Sequence, residues 1–155
     1  MTSIAGNLMK ILAPLVKDGK VRVTQNALGI SVEINASVLF APGEAKLSID
    51  SDLVLRSLAI VMKDDTHSME IEGHTDNVPI SNSLFPSNWE LSSARASAVV
   101  RLFVDCGILP ERMTVIGRSA NIPVAENSSP ENRARNRRVT ILILSKGNDT
   151  FSPNA

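Results

Sequence analysis

The chain has 155 residues, 43% of them hydrophobic, enough for one domain with a real core and too few for two. Sixteen basic and sixteen acidic side chains cancel, which excludes a global field drawing the protein to nucleic acid or an anionic membrane surface. Tyrosine is absent, and one Trp with four Phe leaves few faces on which unpaired bases could stack.

In chain order, Ile4, Leu8, Ile11, Leu12 and Leu15 recur at helical spacing, which predicts a short amphipathic helix interrupted late by Pro14 and closed by Gly19. Residues 1–19 are read as an N-terminal linker helix, its stripe packing on the chain's own core, a partner or a duplicate subunit. These residues lack a basic leader with an uninterrupted apolar stretch, and no run reaches the length of a membrane span. A parent protein working outside the cytoplasm would carry its targeting or anchoring segment elsewhere.

VRVTQNALGISVEI then reads as two strands around a turn at Asn26 to Gly29. VLF follows as a short apolar strand, Pro42-Gly43 as a turn, and a helix carrying Leu53, Leu55, Leu58, Ile60, Val61 and Met62, with Asp50 and Asp52 favourably placed against its dipole. HSMEIEGHTD supplies another strand, whose far end delivers His74 and Asp76. From Asn77 to Pro86 the composition is that of a loop. Ser87 and Glu90 then form an S-x-x-E capping box opening a helix that runs to Gly107. MTVIG and RVTILIL are the last strands, the second expected to be buried on both faces, and the polar stretch between them ends in a short helix. Residues 147–155 read as a disordered tail. The order favours an α+β fold with helices packed on one face of a mixed sheet.

Chemistry concentrates between Glu72 and Arg95. Asp76 at a strand end and Arg95 on the next helix suit a zwitterion: a carboxylate accepts from an ammonium while a guanidinium forks onto a carboxylate. The competing reading pairs Arg95 with Asp76 as a structural ion pair. His74 and Asp76 have an H-x-D spacing but no third ligand, so a metal site is discounted and His74 is expected to order the loop. Trp89 suits a sugar ring or the core edge equally. Arg133, Arg135, Arg137 and Arg138 invite a nucleic-acid reading that the missing aromatics weaken. Most of that run is expected to be a solvated face, with one or two members turned to a ligand. Cys106 is expected to be a buried, unreactive thiol at a helix end.

GHTD, NWELSSARA and NRARNRRV, preceded by FAPGEAKL, resemble the OmpA-like peptidoglycan-binding domain, over about residues 20–146. The long loop with NVPI and FPSNWELSSARA is most similar to the periplasmic domains of flagellar stator proteins of the MotB and MotD kind. The resemblance implies an α/β sandwich, no cofactor, and a ligand made of the meso-diaminopimelate stem peptide and adjoining glycan. It implies contacts from Thr75 and Asp76 of the TD motif, from Asn88, Leu91, Ser92 and Arg95 of the helix, and from Arg137 of the terminal motif. It further implies a periplasmic setting, a MotA-like channel subunit reached through a segment outside this chain, and a homodimer. In one departure, Ala41 stands where many relatives carry an aspartate after the early phenylalanine. The rivals are an outer-membrane OmpA-type protein or lipoprotein, a wall hydrolase using Asp76 or Glu72 as base, and a protein-binding adaptor.

Overall fold

The computed structural model describes residues 2–145; the tail 147–155 expected from sequence lies outside them. α1 (Thr2–Lys17) leads into the hairpin β1 (Val21–Asn26) and β2 (Gly29–Asn35). There follow α2 (Ala36–Leu39), α3 (Ile49–Met62), β3 (Met69–His74), α4 (Asn88–Asp105), β4 (Met113–Gly117), α5 (Pro130–Asn136) and β5 (Arg138–Leu144). The sheet order is β1-β2-β5-β3-β4, with every neighbour antiparallel except β3 and β4, which run parallel. A parallel pair needs a crossover, and α4 supplies it.

Register explains why one face of the sheet is dry. Ile30, Ile143 and Met69 fall in one cross-strand row, and Val32, Ile141 and Ile71 in the next. All six are buried in the single core cluster with Leu55, Leu58 and Met62 of α3 and Val99 and Phe103 of α4. Side chains alternate between sheet faces, so the opposite face receives Glu33, Thr140 and Glu72 in one row and Asn35, Arg138 and His74 in another. Leu142 and Leu144 lie on that polar face and are only half-buried, so β5 is fully covered on one face rather than both.

The opening helix docks on this core. Ala5, Leu8 and Leu12 are buried in the same cluster, against β1 and α3. Helix α1 continues through Pro14 and closes with Lys20 N donating to Leu15 O and Gly19 at φ 74, the left-handed geometry glycine adopts cheaply.

Two expectations fail locally. The VLF segment is the end of helical turn α2, and only Phe40 makes a β-bridge, to Leu47. The β2–β5 pairing already ends at Asn35 and Arg138, so the chain has no ladder to continue and curls to bury Ala36 and Leu39. Cys106 is half-buried at the end of α4, its Sγ facing Arg56 Nη1 at 3.5 Å.

Candidate functional site

Strand β3, helix α4, the turn after α2 and helix α5 converge on an open cleft of about 410 Å³. The close approach of β3 to α4 depends on Gly73, where a Cβ would stand 2.0 Å from Ser92 O. It places the residues following β3 beside the first turns of α4. Ser87 caps that helix, accepting from Trp89 N and donating to the Glu90 carboxylate. Asn88, Leu91 and Arg95, at positions i, i+3 and i+7, therefore share one face and all line the cleft.

Arg95 is buried, with 4% of its surface exposed. Its Nε donates to Glu44 O at 2.8 Å and Nη2 to Ala41 O at 3.4 Å, and its guanidinium carbon lies 5.0 Å from the centre of the Phe40 ring. The turn supplying those carbonyls is built by Pro42 and by Gly43 at φ 71, residues suited to the two central positions of a type II turn. Burial pushes the Arg95 pKa down to about 10, Arg137 pushes the same way, and Asp76 opposes.

Asp76 is 6% exposed. Its Oδ1 accepts from Val78 N at 3.0 Å, turning the loop, and Oδ2 accepts from Arg137 Nη1 at 2.5 Å. The competing reading, an ion pair between Asp76 and Arg95, does not form; Arg137 is the partner. Asp76, Thr75, Asn88, Leu91, Arg95 and Arg137 all line the cleft, so six of the seven residues singled out in the sequence come together. Within that group, Thr75 Oγ1 donates to Asp76 O and Asn88 Nδ2 to Val78 O.

Ser92 does not line the cleft. It is fully buried, its Oγ donating to Trp89 O and accepting from Ser119 N, both at 3.1 Å. Ser119 O in turn accepts from Thr75 N at 2.9 Å, so Ser92 braces the β3 end from behind. Ser119 has φ 56, a backbone state a non-glycine residue holds only when its surroundings fix it.

His74 does not order the loop. Its Nε2 faces Glu72 Oε1 at 3.2 Å on the covered polar side of the sheet, where Arg118 Nη2 also reaches Glu72 at 3.4 Å. The His74 bond, then Arg118, holds the Glu72 carboxyl below its usual range against the opposing effect of burial. Arg138 is buried too, donating to Asn136 O and Ile122 O, because the 118–136 segment covers that face; it is no part of a solvated basic surface. Trp89 is 53% exposed. Among the described residues no group of three His, Cys, Asp or Glu side chains could hold a metal ion.

Sequence reasoning missed the aromatic and carbonyl support of Arg95 and the apolar wall of Val78, Pro79 and Ile80. FAPGEAKL marks that support, since Phe40, Ala41 and Glu44 all fall in it.

Comparison with known proteins places the fold among relatives. The profile of the OmpA family matches residues 39–137. Motility protein B of Bacillus subtilis is 31% identical over 91% of this chain and 56% of its own length. The cell wall anchor of the type VI secretion system from Pseudomonas aeruginosa superposes with a TM-score of 0.83 at 36% identity, covering 90% of this chain and 97% of that one. A putative MotB-like protein from Desulfovibrio vulgaris gives a TM-score of 0.84 at 32% identity, covering 94% of each chain. The chain spans little more than half the length of the first curated relatives it matches.

Proposed function

We propose that this chain, which belongs to the OmpA family, is a non-catalytic module that binds peptidoglycan and holds a larger assembly to the cell wall. One observation carries the reading: a single carboxylate, Asp76, and three guanidinium groups, Arg95, Arg133 and Arg137, face one apolar-walled cleft. One negative and three positive charges favour a ligand with an ammonium and an excess of carboxylates, as in a stem peptide carrying meso-diaminopimelate. The ammonium would be accepted by Asp76 and the carboxylate held by Arg137, whose side chain is 43% exposed, over the buried Arg95. Phe40, Leu91 and Ile80 would cover the methylene chain between the two centres.

The assembly we assign is a flagellar stator of the MotB or MotD kind, supported by the likeness to motility protein B. In that role the domain would lie in the periplasm as a homodimer, joined through a segment outside this chain to a membrane anchor and a MotA-like channel subunit. No helix among the described residues is long and apolar enough to cross a membrane. A second reading, wall attachment for another envelope machine, is favoured by the likeness to the secretion-system anchor.

Pull-down with purified sacculi tests the common ground. Retention without release of soluble fragments is expected. Fragment release would point to a hydrolase, and no retention to a protein adaptor.

A further inference from the structure

Helix α5 and Arg137, the residue that closes it, present arginines on two flanks. Arg133 and Arg137, four apart, line the cleft. Arg135, two residues from each and so turned to the other side, lines a second depression of about 100 Å³ with Lys20, Arg22, Glu33 and Asn35. The two hollows share a backbone wall. Asn35 N donates to Lys20 O at 3.0 Å on one side, and Ala36 N to Arg137 O at 2.8 Å on the other.

The charge around this second hollow is unbalanced. Lys20, Arg22 and Arg135 make no ion pair among the described residues, whereas Glu33, its acid, is already engaged by Arg138 Nε at 3.5 Å. Lys20, at the bend before β1, and Arg22, within that edge strand, are both exposed at the rim of the hollow. In a chain whose formal charges cancel, three unpaired cations around one hollow form a local excess. Glu33 shapes what fits: its carboxylate repels a dianion but can accept from an amide N–H beside a singly charged group.

We propose that this hollow is a second subsite, taking a peptide carboxylate of the same wall polymer whose zwitterionic centre occupies the cleft. The inference rests on the peptidoglycan reading above. It makes recognition two-point, with α5 clasped between a diaminopimelate end and a neighbouring acidic residue of the stem.

The test is calorimetric titration of the wild type and the double variant Arg22→Gln, Arg135→Gln, its fold checked by circular dichroism. The probes are meso-diaminopimelate, the stem tripeptide that adds a glutamate carboxylate, and inorganic phosphate. The variant should bind the tripeptide about fivefold more weakly, the effect of losing two exposed charge contacts, and diaminopimelate unchanged. Equal tripeptide affinity in variant and wild type would sink the second subsite and leave the first intact. Phosphate binding as tight as the tripeptide, and lost in the variant, would replace the polymer carboxylate with a free anion and also overturn the proposal. A wild type that binds neither wall probe would bring down the peptidoglycan reading itself.

Discussion

Asp76 spends both carboxylate oxygens inside the protein: Oδ2 accepts from Arg137 Nη1 across 61 residues of sequence, and Oδ1 from Val78 N. The acid is held by an arginine that is itself half exposed, so an incoming ligand meets a preformed pair rather than two separate charges. Asp76→Asn keeps an acceptor for Val78 N and removes the charge. It should lower affinity for wall fragments tenfold or more, since charge-assisted bonds contribute about 1.5–3 kcal/mol, and lower the melting temperature as well, because the amide nitrogen cannot accept from Arg137 Nη1. Retention on sacculi equal to wild type would remove Asp76 from the site.

Arg95 is both a ligand candidate and a structural strut. Truncation to Ala removes the bonds to Glu44 O and Ala41 O and the contact with Phe40, and empties a buried position. We expect Arg95→Ala to lose about 2–3 kcal/mol of stability by urea denaturation as well as wall binding. Arg95→Lys keeps the charge without the planar fork and should recover less than half of that stability. An Ala variant as stable as wild type would mean that the 41–44 turn does not depend on the guanidinium.

How far the site was legible follows from which signals are local. Asp76, Asn88, Leu91 and Arg95 are fixed by a strand end and a capped helix, periodic features that a sequence displays. The choice of partner for Asp76 is not local, because Arg137 arrives through the pairing of β5 with β2 and β3. Ser92 shares the helix with the ligand-facing residues, but one residue of helical rotation turns it onto Ser119 instead of the cleft. The VLF run failed for a related reason: a strand needs a neighbour, and the register of β5 leaves none beyond Asn35.

Gly73 should be intolerant of any side chain. A Cβ there would stand 2.0 Å from Ser92 O and 2.8 Å from its carbonyl carbon, both backbone atoms of α4. Gly73→Ala must push α4 off the sheet, and overpacking of this kind costs about 3 kcal/mol. Gly6→Ala, where nothing lies within 4 Å, should stabilise the exposed helix by up to about 1 kcal/mol. Thermal melts of the two variants give opposite signs if the close approach is real.

Stability should fall in acid through Glu72 and Asp65. Glu72, held below the ordinary carboxylate value of 4.5 by the His74 and Arg118 bonds, contributes stability that is present above that value and lost as pH falls through the lower folded one. Asp65 behaves alike: burial raises its carboxyl, but the His67 bonds outweigh it and the net shift is downward. Glu72→Gln should therefore be less stable than wild type at pH 7, with the gap narrowing toward pH 3. A gap of constant size across denaturant titrations at both pH values would show that Glu72 is not tied to its partners as described.

Helix α1 is amphipathic in sequence, a pattern that does not say what its stripe covers; packing supplies the answer. Leu8 and Leu12 are each 1% exposed in the main cluster, while Met9 and Ile11 are 44% and 39% exposed on the outer side. Leu8→Ala removes a side chain closed in on all sides and should cost about 3 kcal/mol. Ile11→Ala, at an exposed position, should stay within about 0.5 kcal/mol. Deletion of residues 2–17 would then uncover the apolar faces of β1 and α3 and abolish cooperative unfolding, not merely change the oligomeric state read by light scattering. A deletion variant that melts sharply near the wild-type temperature would mean that α1 is dispensable to the core it covers.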